Sequence, residues 1–102
     1  MPKLPQAELD RALRDLPGWL VKDGAITKTF KHESFAEAIV FVNAVAHLAE
    51  LANHHPDIDI RYTNVTLSLV THDQGGITDK DVNLAREIEE ARRKAEIGRA
   101  HV

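Results

Sequence analysis

Apolar positions recur with a helical period in three stretches of the chain and alternate in four others. From Gln6 to Leu16, Leu9, Leu13 and Leu16 fall at helical spacing with charges between them, and Pro17-Gly18 closes the run. Trp19 to Lys22 and Ala25 to Lys31 read as strands, and the Asp23-Gly24 pair between them predicts a hairpin. Ser34 and Glu37 have capping-box spacing and predict the start of a long helix over 35–53. Ile58 to Tyr62 and Val65 to Thr71 predict a second hairpin, turning at Thr63-Asn64. In its second strand Val65, Leu67 and Leu69 share one face. Thr66, Ser68 and Val70 share the other, which His72 continues at the strand's end. Thr78 and Asp81 repeat the capping-box spacing, and Val82, Ala85, Ile88, Ala91 and Ala95 give the last helix a narrow apolar face. The charged tail from Arg92 to Gly98 is expected to fray. The order α-β-β-α-β-β-α predicts an α+β fold: a four-stranded antiparallel sheet with helices packed on one face, in a single domain over residues 1–102.

The long central helix carries more apolar surface than one contact needs. Phe35, Ile39, Val42, Ala46 and Ala49 form one stripe, and Phe41, Val45, Leu48 and Ala52 form another, rotated from it. A two-layer domain offers one sheet to pack against, so the second stripe is expected to meet another subunit. Coverage by the first helix and the tail is the alternative.

Composition narrows the function classes. The chain has 102 residues, 43% of them hydrophobic, and a formal net charge of −3 without basic blocks, which argues against nucleic-acid binding driven by phosphate contacts. With no cysteine, disulfides, thiolate nucleophiles and Cys-based zinc sites are excluded. The Met1-Pro-Lys-Leu-Pro start lacks the apolar core of a signal peptide, and no uninterrupted apolar run approaches the roughly 20 residues that span a bilayer. The expectation is a cytoplasmic protein without membrane or nucleic-acid partners.

Candidate chemistry gathers where the central helix runs out into Glu50-Leu-Ala-Asn-His54-His55-Pro56-Asp57. Proline disfavours helical geometry in the residue before it, so the helix is expected to end at His54 or His55. The unpaired carbonyls of a last helical turn favour a protonated imidazole, and Glu50, one turn back, is expected to orient the His54 ring. His72 ends the final strand, and the three imidazoles converge if the second hairpin folds back under the helix. Asp81 has two compatible readings, as capping partner of Thr78 or as a carboxylate facing the histidines. His32, His47 and His101 read as structural or solvent-facing. No metal site is expected: adjacent helical residues point about 100 degrees apart, and the helical H-E-x-x-H pair is absent. Ser68 and the threonines have no nucleophile-elbow context.

Together, Glu50-x3-His54-His55-Pro56-x5-Tyr62-x9-His72-x8-Asp81 resembles the signature of the pterin-4a-carbinolamine dehydratase family, also called dimerisation cofactor of the hepatocyte homeodomain factor. The Asp81-Val-Asn83-Leu-Ala85 continuation is similar to that family's last helix. The resemblance implies removal of water from 4a-hydroxytetrahydropterin to give quinonoid dihydropterin, as in recycling of tetrahydrobiopterin, with no metal or organic cofactor. It implies His54 and His72 as acid–base groups, His55 as the residue that positions the pterin, and Glu50, Pro56 and Asp81 as supporting or substrate-binding residues. It also implies a homodimer or homotetramer, formed through the 35–53 helix and the sheet edge. Imidazole, with an unperturbed pKa of about 6.5, suits such proton transfers. One departure is Ile58-Asp59-Ile60, where animal members carry aromatic residues. A non-catalytic dimerisation or binding module, or a protein of molybdopterin metabolism, is the alternative reading.

Overall fold

The computed structural model describes residues 2–100, with side chains through Glu96. The elements are α1 (Gln6–Arg14), β1 (Leu20–Lys22), β2 (Ala25–Lys31), α2 (Phe35–Ala52), β3 (Asp57–Arg61), β4 (Asn64–Leu69) and α3 (Asp79–Ala100), with a 3-10 turn at His72–Gln74. The fold is α+β in the expected order, and its four strands form one antiparallel sheet arranged β1-β2-β4-β3. Asp23 and Gly24 both take left-handed backbone, with φ of 51° and 79°, the geometry a two-residue hairpin turn needs to follow the strand twist. The second hairpin turns one residue earlier than expected. Arg61 pairs with Asn64, which leaves Tyr62-Thr63 as the turn, with Tyr62 at φ 53°.

Alternation along β4 sorts the sheet's two faces. Val65, Leu67 and Leu69 are buried with Ile26 and Phe30 of β2, and all three helices contribute to this one core through Leu9, Ala12, Val45, Ala49, Ala85 and Ile88, among others. Burying these side chains stabilises each by roughly 1.5–3 kcal/mol for the larger ones, which holds the helices to that face. The opposite face is polar: the hydroxyls of Thr27 and Ser68 lie 3.1 Å apart and those of Thr29 and Thr66 2.8 Å apart.

The Ser34 hydroxyl accepts from the Glu37 amide at 3.1 Å and starts α2 as expected. The two-stripe reading of this helix needs correction. Ala38, Val45 and Ala49 are buried and Phe41, Val42 and Leu48 pack beside them, which makes one stripe at helical period. Val45, expected to face a partner, is 1% exposed, whereas Phe35 of the other expected stripe is exposed. Beyond Phe35, the large apolar residues of this helix that point outward are Val40 (68% exposed) and Leu51 (72%). By length and composition α2, with mean hydropathy 1.5, is apolar enough to cross a membrane, and here one of its faces forms part of the core.

Two boundaries differ from expectation. α3 continues through Gly98 to Ala100, past the point where fraying was expected, and Arg93–Glu90, Arg92–Glu96 and Lys94–Glu90 ion pairs brace its surface. At its other end α2 stops at Ala52, before either histidine. Asn53 takes the left-handed conformation (φ 51°, ψ 42°), and the amides of Asn53 and His54 close back on Glu50 and Ala49 carbonyls at 3.2 and 3.1 Å. Asparagine reaches this conformation more readily than other side-chain-bearing residues, so it caps the helix before Pro56 can.

Candidate active site

Because α2 ends early, His54, His55 and Pro56 form an irregular exit that leads into β3 at Asp57. The backbone reversal at Asn53 sends the two rings apart. Glu50 was expected to orient His54. Instead its Oε2 lies 2.5 Å from Nε2 of His55, in a pair largely exposed to solvent. His54 turns inward, 11% exposed, and its Nε2 lies 2.5 Å from Oδ1 of Asp81, whose side chain is 0% exposed. The same-face argument failed because it placed both residues on one continuous helix.

Asp81 fills both roles open to it. Its Oδ2 accepts from the Thr78 backbone amide at 2.9 Å, which caps the start of α3, and from the Thr71 hydroxyl at 2.9 Å. The Thr71 and Thr78 hydroxyls are 2.7 Å apart, and the Lys80 amide donates to the Thr78 hydroxyl at 3.2 Å. All three side chains are buried. A buried carboxylate needs such partners to replace water, and burial makes each bond strong. Thr71 is a site residue that motif reading missed. A signal was present: it continues the inward parity of Val65, Leu67 and Leu69, so a polar side chain there had to find a partner inside.

His72 is exposed and opens the 3-10 turn, which is closed by reciprocal amide–carbonyl bonds between Thr71 and Gly76 at 2.9 and 3.3 Å. Its ring borders a trough of about 450 Å³ on the helix-free face of the sheet, together with Thr27, Asp57, Ile58, Ser68 and Val70. The three imidazoles are not hydrogen-bonded to one another. His54 and the chain just before His72 are nevertheless tied to the two oxygens of one carboxylate, because Thr71 precedes His72. Tyr62 of the signature sits at the opposite end of β3, exposed in the hairpin turn. His32 stacks on Phe41 with ring centroids 4.9 Å apart, His47 is exposed on α2, and His101 lies outside the described residues.

A family model described as pterin 4 alpha carbinolamine dehydratase matches residues 2–91. The chain belongs to that family. Among its relatives in the family, a protein of Roseiflexus sp. (strain RS-1), provisionally named pterin-4-alpha-carbinolamine dehydratase, is 56% identical over 88 residues, covering 86% of this chain and 95% of its own. One from Chloroflexus aurantiacus with the same provisional name is 51% identical over 90 residues, covering 88% and 97%. The crystal structure of a transcriptional coactivator/pterin dehydratase from Brucella melitensis superposes with a TM-score of 0.82 at 37% identity, over 86% of this chain and 96% of that one. A pterin dehydratase-like protein described as a RuBisCO assembly factor in the alpha-carboxysome is more distant, with a TM-score of 0.59 at 25% identity over 72% and 87%. The family is one of hydro-lyases, enzymes that remove water from a pterin carbinolamine.

Proposed function

We propose that the chain dehydrates 4a-hydroxytetrahydropterin to quinonoid dihydropterin by histidine acid–base catalysis, as one cytoplasmic domain serving pterin recycling. The observation that carries this reading is the inward-facing His54 ring held by a buried, multiply bonded Asp81, in a member of a dehydratase family. The 4a-hydroxyl leaves as water once an acid gives it a proton, and N5 loses its proton as its lone pair forms the C4a–N5 double bond. One proton is given and one is taken, so the proton count of the enzyme is unchanged, and exchange with water returns each histidine to its starting form. His54 and His72 carry the two transfers, His55 with Glu50 holds the ring system, and Pro56 stiffens the exit from α2. General acid–base help contributes roughly 10²–10⁴-fold, which suits a reaction that already proceeds slowly unaided. Purified protein should speed the decay of chemically generated 4a-hydroxytetrahydropterin, and failure to do so at micromolar enzyme rejects the reading.

A second reading, compatible with the first, concerns assembly. The outward apolar residues Val40 and Leu51 favour a homodimer or homotetramer formed through α2 and the sheet edge. Leu51→Asp should then reduce the sedimentation coefficient without unfolding the chain. A wild type that sediments as a monomer rejects this assembly.

A further inference from the structure

The hydrogen bonds around Asp81 have only one consistent direction once their donors are counted. A threonine hydroxyl has one proton to donate and a backbone amide has one, while a carboxylate only accepts. The Thr71 hydroxyl donates to Asp81 Oδ2. Its single proton is therefore spent, and the 2.7 Å contact with Thr78 requires the Thr78 hydroxyl to donate to Thr71. Thr78 in turn accepts from the Lys80 amide, whose direction is fixed by the backbone. The Thr78 amide fills Oδ2 from a second side. What remains for Oδ1 is His54 Nε2, and a carboxylate facing it demands an N–H there.

We infer that Thr71 and Thr78 are positioning residues: a one-way chain from the Lys80 amide through both hydroxyls to Asp81 holds His54 in its Nε2–H tautomer, leaving Nδ1 as the nitrogen that exchanges protons with substrate. The first turn of α3 thus sets the polarity of an imidazole 27 positions earlier in sequence. The assignment of Nδ1 as the working atom rests on the acid–base reading of His54. The tautomer itself does not. In the buried setting each bond in such a chain polarises the next, so losing one hydroxyl is felt at the far end.

The substitution Asp81→Asn tests the direction of the chain. The Thr78 amide cannot be turned round, so it and the Thr71 hydroxyl claim the side-chain oxygen of the asparagine. Its NH2 then faces His54, which must accept at Nε2 and carry its proton on Nδ1. ¹⁵N spectra of imidazole-labelled protein, taken at a pH where the ring is neutral, should show His54 with a protonated Nε2 in the wild type and a protonated Nδ1 in D81N. In the dehydration assay D81N should lose roughly a hundredfold or more of its rate, the usual worth of a correctly poised acid or base. Thr71→Val keeps the branched shape but removes the hydroxyl. It should lower kcat roughly tenfold, the worth of a hydrogen bond to a charged group, with KM little changed. Thr71→Ser should restore it.

A wild-type His54 protonated on Nδ1, or an unchanged tautomer in D81N, overturns the inference. So does a T71S variant as slow as T71V. If the variants fail to fold, the wild-type spectrum alone still decides the tautomer. If the wild type is inactive towards the carbinolamine, the catalytic reading falls while the spectra still judge the chain.

Discussion

Two imidazole–carboxylate pairs leave the end of α2 on consecutive residues, with the same 2.5 Å separation and opposite surroundings. In His55–Glu50 the side chains are 57% and 75% exposed, and water screens the attraction and competes for both partners. In His54–Asp81 the carboxylate is sealed from solvent and also ties together the start of α3 and the end of the β4 segment. Distance is thus a poor guide to what an imidazole–carboxylate contact is worth. Burial and the number of other bonds the carboxylate makes decide it. The buried pair is the rigid, directional one, suited to holding a ring in a single orientation. The exposed pair can part as a substrate arrives.

The sharpest break of this contrast is Asp81→Ala, which strands the Thr78 amide, the Thr71 hydroxyl and the His54 ring without their acceptor. Urea unfolding should show a loss of about 3–5 kcal/mol, as when one partner of a buried pair is removed. A loss below about 1 kcal/mol would mean that water replaces the carboxylate at no cost, which the contrast forbids. Glu50→Gln should change unfolding stability by less than about 1 kcal/mol, and added salt should shrink the difference further. A destabilisation as large as that of Asp81→Ala would erase the distinction between the pairs. The smallest effect belongs to Glu90 on the outer surface of α3. There the Arg93 guanidinium, hydrogen-bonded to it, holds its carboxyl below the usual carboxylate range. A depressed carboxylate pKa in the folded state stabilises above the unfolded value and loses that contribution as pH falls through the folded one. Its exposure to solvent keeps the effect slight, so E90Q should match the wild type at acid pH and fall only marginally below it at neutral pH in thermal melts.

The elements themselves were legible because their signals are local. The Ser34 capping box, the Asp23-Gly24 turn and the alternation of Val65, Leu67 and Leu69 each depend on neighbours within a few residues, and all appear as expected. The partner exchange between Glu50 and the two histidines was not legible. It turns on the handedness of one backbone unit, Asn53, and a spacing rule that assumes continuing helix assigns Glu50 to the wrong ring. The stripes of α2 were misassigned for another reason. A helix apolar almost all round contains several sets of positions at helical period, and only the placement of α3 and the sheet selects the one that includes Val45. Asp81 was legible as a cap and as a candidate partner, but the Thr71 hydroxyl that completes its coordination required the fold, since Thr71 lies in no motif with either residue.

The measurement that bears most directly on the account is the rate at which 4a-hydroxytetrahydropterin disappears in the presence of wild type, His54→Ala and His55→Ala at matched concentrations. The account predicts clear acceleration by the wild type and loss of most of it, in kcat, for H54A. For H55A it predicts a defect expressed mainly in KM. An H54A enzyme that keeps the wild-type kcat while H55A loses it would contradict the account, because the exposed pair and not the buried one would then carry the proton.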